Sequence, residues 1–308
     1  MRFLVLGAGA VGGYFGGRLA EAGADVTFLV RPARAGLLRE RGLVIESPLG
    51  DFRIAPQLAT AETVAGSYDV VLLTAKHYDL DQAIAAVRPG VGQGTAIVPL
   101  LNGLIHLDRL DAAFGADRVL GGVAYIGAIL RPDGGIRHHN QLSGITFGER
   151  AGGLSERVQR IAAAFAGCRA TGTASDDIMR DMWEKFVFIT AMAGMNCLLR
   201  GNVGEIAATE EGAALMTEAL AECCAVAEAA GHPARPEYRE RIRGMLTEPG
   251  SVNSASMRND LEAGSRTEGD AIVGDMLRRA RRLSVPTPLL RAANCALQLH
   301  ENRVAARQ

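Results

Sequence analysis

The feature that most constrains this chain is Gly7-Ala8-Gly9-Ala10-Val11-Gly12, set between an apolar run at residues 3–6 and a helical segment at 11–22. A G-x-G-x-x-G spacing in a strand–loop–helix context has a specific physical use. The first glycine makes the tight turn, and the second lets a pyrophosphate approach the backbone. The third lets the helix pack on the strand, and the helix N-terminus carries the anion. The run therefore predicts a dinucleotide held by Gly7, Ala8, Gly9, Ala10, Val11 and Gly12. The second strand, residues 25–30, identifies which one. An NAD site places an Asp or Glu at the end of that strand to accept from the ribose 2′-OH. Here the strand runs into Val30-Arg31-Pro32 with no acid. Arg31, with Arg34 as a second contact, offers a planar fork of donors to a 2′-phosphate instead. The expected cofactor is NADP, used as NADPH.

The rest of the first half repeats the pattern. Strand-like runs at 70–74 and 96–99 follow helical segments, and such alternation builds a parallel sheet from βαβ units. Ligands bind at the carboxyl ends of such strands, so two further loops are candidates. In Thr74-Ala75-Lys76-His77, Lys76 adds charge near the phosphates. In Leu101-Asn102-Gly103, Asn102 reaches ribose, nicotinamide or substrate. Beyond Gly115 the runs 119–130 and 136–147 flank Pro132-Asp133-Gly134-Gly135, a hairpin turn between antiparallel strands. From Ser155 onward the chain reads as almost wholly helical, with helices at 156–166, 177–199, 204–230, 237–246, 255–263, 268–283 and 288–300. Thr267-Glu268-Gly269-Asp270 has the form of a capping box. The expected organisation is α/β: a Rossmann-type dinucleotide-binding domain over residues 1–174, then an all-α substrate and catalytic domain over 175–308.

Composition removes other classes. Of 308 residues, 48% are hydrophobic and 22% charged, the balance of a globular chain with about two cores. Lys+Arg 33 against Asp+Glu 34 leaves a formal charge of -1, so nothing drives the chain onto nucleic acid or an anionic membrane. Five cysteines without a C-x-x-C give neither a disulfide framework nor a thiolate metal site, and no metal is expected. The apolar N-terminal stretch is too short for a signal sequence, and no run reaches the roughly 20 residues of a membrane helix. A soluble, cytoplasmic protein is expected. The cluster Arg278-Arg279-Ala280-Arg281-Arg282 reads as a solvated helix face.

Met182-Trp183-Glu184-Lys185-Phe186-Val187-Phe188-Ile189 sets a lysine into an apolar helix, with Ile189 and Ala193 on its face one and two turns on. A lysine there is partly desolvated, which readies its ammonium to give up a proton and makes it a candidate general acid.

These residues carry a family resemblance. The N-terminal glycine run, the Lys76 loop, Leu101-Asn102-Gly103, Trp183-Glu184-Lys185-Phe186 and Ser256-Met257-Arg258-Asn259-Asp260 with Arg266-Thr267-Glu268 resemble the ketopantoate reductase (2-dehydropantoate 2-reductase) family in its own order. The resemblance implies a Rossmann domain followed by a helical domain. It implies that Lys185 is the general acid that protonates a carbonyl oxygen as NADPH delivers hydride, with Glu268 positioning lysine and substrate. It puts Asn102 near the nicotinamide and the reacting carbonyl, and Arg31 and Lys76 near the NADP phosphates. Asn253 and Ser256 fall on substrate contacts, on one helical face if the helix has begun by residue 253.

The chain departs from the family at one place. Members that make pantoate usually carry asparagines one and two turns after the lysine, where this chain has Ile189 and Ala193. Asn196 lies about 16 Å along the axis from Lys185, too far to replace them. The expected activity is NADPH-dependent reduction of a small-molecule 2-oxo acid, by family default 2-dehydropantoate to pantoate in pantothenate biosynthesis. The alternatives are a more apolar 2-oxo acid or a non-catalytic NADP-binding sensor. The assembly state stays open, a homodimer included.

Overall fold

The computed structural model describes residues 1–307 and divides into two compact units. The first comprises Met1–Leu101 and His106–Met179, the second Asn102–Ile105 and Arg180–Gln308.

The first unit is α/β and contains two five-stranded sheets. Its strands are β1 (Arg2–Leu6), β2 (Asp25–Leu29), β3 (Leu43–Glu46), β4 (Phe52–Ile54), β5 (Gln57–Ala59), β6 (Tyr68–Leu73), β7 (Val91–Pro99), β8 (Gly121–Leu130), β9 (Ile136–Gly148) and β10 (Thr171–Ala174). Its helices are α1 (Ala10–Glu21), α2 (Pro32–Arg41), α3 (Leu80–Val87), α4 (His106–Phe114) and α5 (Glu156–Ala164). One sheet has the order β5-β2-β1-β6-β7, parallel throughout, with Phe3, Leu4 and Val5 of β1 fully buried at its centre. Burial of consecutive residues is the mark of a parallel strand covered on both faces. The chain reverses direction across the sheet between β1 and β6, which is where such sheets open a ligand crevice. The other sheet has the order β10-β9-β3-β4, with β8 paired antiparallel to β9 through the turn at 131–135.

Helix α1 lies between the two sheets, and its glycine pairs explain how. A Cβ on Gly16 would come within 2.8 Å of the Phe28 ring and 2.9 Å of Val5, and one on Gly12 would strike the Gly7 carbonyl and Thr74. On the other side, a Cβ on Gly17 would stand 2.9 Å from Ile45 and 3.0 Å from Phe52, and one on Gly13 would strike Ile136. Gly12-Gly13 and Gly16-Gly17 are one turn apart, so they form two adjacent bare stripes, one for each sheet.

The second unit is helical: α6 (Ile178–Leu199), whose first two residues belong to the first unit, α7 (Val203–Ala207), α8 (Gly212–Ala229), α9 (Pro236–Leu246), α10 (Ser256–Glu262), α11 (Asp275–Arg282) and α12 (Pro288–Ala305). Helix α6 is apolar on most of its circumference, as befits a central helix. The Glu222 carboxylate of α8 accepts from the N–H groups of Leu289 and Leu290 at 2.9 and 3.0 Å, capping the start of α12. No helix among the described residues is long and apolar enough to cross a membrane.

Several expectations are corrected in detail. The short strands β3, β4 and β5 carry too few residues for their alternation to be seen in the sequence. The segment after Ser155 is not all helix, because Thr171–Ala174 pairs in parallel with residues 144–147 of β9. The predicted helix at 204–230 is two helices, α7 and α8. Thr267 does not close a capping box. Its hydroxyl donates to Glu301 at 2.7 Å and accepts from Gly269 at 3.3 Å. The following residues Asp270–Gly274 wind as a π-helical turn.

Candidate active site

In the first unit, the glycine run joins β1 to α1 as anticipated. Gly7 has φ +91°, a conformation open to glycine, and its N–H donates to the Leu29 carbonyl at the end of β2, 2.9 Å away. Helix α1 has Gly9 as its N-cap, with no side-chain cap and no acid in its first turn, leaving its positive end for an anion. A Cβ added to Gly9 would meet nothing within 4 Å, so the backbone there faces open space. A cavity of about 520 Å³ opens at this point, lined by Gly7, Ala8, Gly9, Arg31, Arg34 and Asp79 among others. The residues present fit a dinucleotide: bare backbone and a helix end for pyrophosphate, and a guanidinium on the same wall.

The two arginines differ. Arg31, at the N-cap of α2, reaches Asp79 at 3.0 Å and Gln82 at 3.5 Å with a side chain that is 72% exposed. Arg34 donates to the Ala8 carbonyl at 2.8 Å and the Gly134 carbonyl at 2.9 Å. Arg34, the expected second phosphate contact, thus ties the glycine loop to the β8–β9 turn through Nη2, and burial lowers its pKa. Lys76 lies at the N-cap of the 3₁₀ turn His77–Asp79 that precedes α3. Asp79 and Gln82, which line the same cavity, went unnoticed in the sequence because a polar residue opening a helix carries no signal.

In the second unit, three segments distant in sequence converge. Asn102-Gly103 belongs to this unit although its neighbours on both sides belong to the other. Gly103 has φ +81°, and a Cβ there would lie 2.9 Å from the Ala271 carbonyl and 3.7 Å from the Phe186 ring. Only glycine allows this backbone to approach both the π-helical turn after Glu268 and the helix residue after Lys185. π-Turns often occur at functional sites.

Lys185 is half-buried on α6. Burial pulls its ammonium down to about 8, and the nearby Glu268 carboxylate opposes that fall. The neighbouring turn of α6 is fixed firmly. Glu184 is 2% exposed, and its Oε1 accepts from both the backbone N and Nε of Arg235 at 2.9 Å. Trp183 stacks on His232 with ring centroids 5.1 Å apart, and Arg279 lies over its ring at 5.2 Å. Within the basic cluster, then, Arg281 and Arg282 are solvated, whereas Arg279 packs on the lysine helix.

Ile189 and Ala193 are 9% and 2% exposed, so the face beyond Lys185 is apolar and closed. Asn196 is fully buried. It donates to the Gly201 carbonyl at 2.8 Å and accepts from the Ala255 N–H at 3.0 Å, so its amide fixes the N-cap residue of α10. Ser256 is the first residue of α10 and is exposed. Asn253 precedes the helix, so the two do not share a helical face. Its carbonyl accepts from Val203 at 2.9 Å while its side chain is exposed. Between them the Ser254 hydroxyl is buried with no hydrogen-bond partner in the structure, a feature with no sequence signal. No cluster of His, Cys, Asp or Glu among the described residues could hold a metal ion.

Comparison with known proteins addresses the family. Residues 3–152 match the model described as "Ketopantoate reductase PanE/ApbA", and residues 177–301 match its C-terminal counterpart. The chain belongs to the ketopantoate reductase family. This reductase-family chain is 40% identical over 301 residues to the "Uncharacterized oxidoreductase YkpB" of Bacillus subtilis (strain 168), covering 98% of this chain and 99% of that protein. It is 32% identical to the 2-dehydropantoate 2-reductase of Halobacterium salinarum, over 94% of this chain and 96% of that one. The crystal structure of 2-dehydropantoate 2-reductase from Methylococcus capsulatus superposes with a TM-score of 0.86 at 30% identity, covering 99% and 98%. The chain is an oxidoreductase with this family's fold.

Proposed function

We propose that this protein is an NADPH-dependent reductase of a small 2-oxo acid, yielding the 2-hydroxy acid, with 2-dehydropantoate to pantoate as the family default. Residues 1–174 form the cofactor domain in this reading, and residues 175–308 the substrate domain. The observation that carries it is Lys185, a lysine on an apolar helix whose ammonium is drawn down to about 8 beside Glu268. A lysine with that pKa is both protonated near neutral pH and ready to donate. A sensor that only bound the dinucleotide would have no use for it.

The glycine loop and the start of α1 hold the pyrophosphate, with Arg31 and Lys76 toward the phosphates. The dinucleotide, when bound, supplies the hydride for the C2 carbonyl carbon. Lys185 Nζ holds the proton that the carbonyl oxygen gains, so the C=O bond becomes C–H and O–H and the lysine is left neutral. Glu268 keeps the ammonium charged until that step, because its carboxylate raises the lysine's pKa against burial. Asn102 orients the carbonyl or the nicotinamide edge, and Asn253 and Ser256 take the carboxylate end of the substrate. No metal is required, because the ammonium neutralises the developing alkoxide.

A second reading keeps the chemistry and changes the substrate to a more apolar 2-oxo acid. It is supported by Ile189 and Ala193, buried aliphatic groups where a hydroxyl-bearing substrate would need donors. NADPH oxidation measured over a panel of 2-oxo acids, with and without distal hydroxyls, tests both. Binding of NADPH without turnover of any of them would support the sensor.

A further inference from the structure

We propose that Asp79 sets the cofactor preference by competing with a ribose 2′-phosphate for Arg31. The proposal rests on the reading of Arg31 as the phosphate contact and adds a residue that no sequence motif marks.

The geometry begins with how Arg31 is held. It leaves the carboxyl end of β2 and meets Asp79 Oδ2 at 3.0 Å, 48 residues on, with Gln82 Oε1 at 3.5 Å. Both partners line the same cavity as the glycine loop. Asp79 is the N-cap residue of α3, a position where an aspartate ordinarily accepts from the helix's own first turn, yet its side chain makes no such bond. Its carboxylate is directed to Arg31 instead of to the helix it begins.

The charges around this wall balance. Arg31 and Arg34 are the guanidinium groups lining the cavity, and Asp79 and Glu62 are the carboxylates. Arg34 spends Nη2 on the Ala8 and Gly134 carbonyls, whereas Arg31 is the guanidinium paired with a carboxylate. A 2′-phosphate, with a charge of about −2, that meets Arg31 takes it from Asp79 or shares it at close range with a like charge. A ribose 2′-OH faces no such conflict, because a neutral hydroxyl can donate to the Asp79 carboxylate while Arg31 stays paired. Asp79 thus narrows the preference for NADPH over NADH that an unopposed arginine would give.

The test is the dissociation constant for NADPH and NADH, followed by dinucleotide fluorescence, in the full-length protein and in Asp79→Asn, Asp79→Ser and Arg31→Ala. Asp79→Asn is expected to tighten NADPH by roughly fivefold at low salt, the upper end of what an exposed ion pair contributes. NADH should hold steady or weaken, and the NADPH gain should shrink as salt is added. Asp79→Ser should behave alike, and the gain should vanish when Arg31 is also alanine. If NADPH binding is unchanged or weaker in both Asp79 variants, Asp79 aims Arg31 rather than competing with the phosphate, and the proposal is overturned. If Arg31→Ala leaves the NADPH to NADH ratio where it was, the phosphate reading of Arg31 fails, and this inference falls with it. A ratio that drops in Arg31→Ala but does not rise in Asp79→Asn retains that reading and rejects only the role of Asp79.

Discussion

The glycine loop of the first unit and the lysine helix of the second each prepare a place for charge, by opposite means. The loop works with backbone: a glycine at φ +91°, an uncapped helix end, and open space beside Gly9. The lysine site works with side chains brought from residues 185 and 268, and its electrostatics come from burial of one ammonium against one carboxylate. A backbone site tolerates most changes except added bulk. A side-chain site fails when a single group is removed.

The sharpest consequence concerns Lys185. Lys185→Ala is expected to lower kcat by roughly 10²–10⁴-fold with NADPH affinity retained, the range for loss of a general acid. The pH profile gives a second reading of the same residue. The donor is the protonated form, so kcat/KM is expected to be level below about 8 and to fall as pH rises through it. Glu268 raises that pKa, so Glu268→Gln should move the falling limb to lower pH, whereas a purely structural Glu268 would leave its position unchanged. Near-normal turnover in Lys185→Ala would remove the contrast between the two sites.

The backbone site is tested by adding one carbon. Gly12→Ala would press a methyl against the Gly7 carbonyl and Thr74, neither of which can withdraw without moving the loop. The expected cost is about 1–3 kcal/mol of stability, as for overpacking elsewhere, seen as a lower melting temperature together with weaker dinucleotide binding. Gly9→Ala meets no protein atom, so it should weaken the dinucleotide with the melting temperature of the free protein held. A pair of variants that behaved alike would show that the loop does not separate packing from binding in this way.

These two sites also explain what could be read from the sequence. The strand–glycine–helix run is contiguous, so its fold and its use are written in a dozen residues. The second glycine pair, Gly13 and Gly17, has its reason in a second sheet whose strands are three or four residues long at β3 and β4, too short to show alternation. Lys185 was legible from its apolar helix, but its pairing with Glu268 was legible only as a family pattern, because the two meet through packing that no local periodicity encodes. Side chains with two plausible tasks were the hardest. Arg34 bonds the Ala8 and Gly134 carbonyls, and Asn196 the backbone of Gly201 and Ala255, tasks no sequence pattern announces.

Arg31 is a side chain on the wall of the glycine-loop cavity. If it meets the 2′-phosphate, Arg31→Ala should weaken NADPH by about 1.5 kcal/mol and leave NADH nearly unchanged. The low end of the range for a charged hydrogen bond applies because the side chain is 72% exposed and open to screening by salt. Equal losses for both dinucleotides in a binding titration would make Arg31 a structural residue.

The smallest expected effect lies on the lysine helix, where Ile189 and Ala193 close the face beyond Lys185. A substrate hydroxyl brought against these groups loses its water and gains no partner. Each such hydrogen bond forgone amounts to about 0.5–1.5 kcal/mol, and an unpaired buried hydroxyl costs more. The unmodified protein should therefore show a lower kcat/KM for 2-dehydropantoate than for a 2-oxo acid of the same size without the distal hydroxyl. Ile189→Asn with Ala193→Asn should move the ratio toward 2-dehydropantoate, by roughly three- to tenfold for each amide that finds the hydroxyl. Both positions are buried, so the double variant will lose stability, and the ratio of two substrates on one enzyme preparation is the measurement that cancels that loss. If the unmodified protein already prefers 2-dehydropantoate over its deoxy analogue, the hydroxyl is held elsewhere. The buried Ser254 hydroxyl, which has no hydrogen-bond partner in the structure, is then the first residue to replace with alanine.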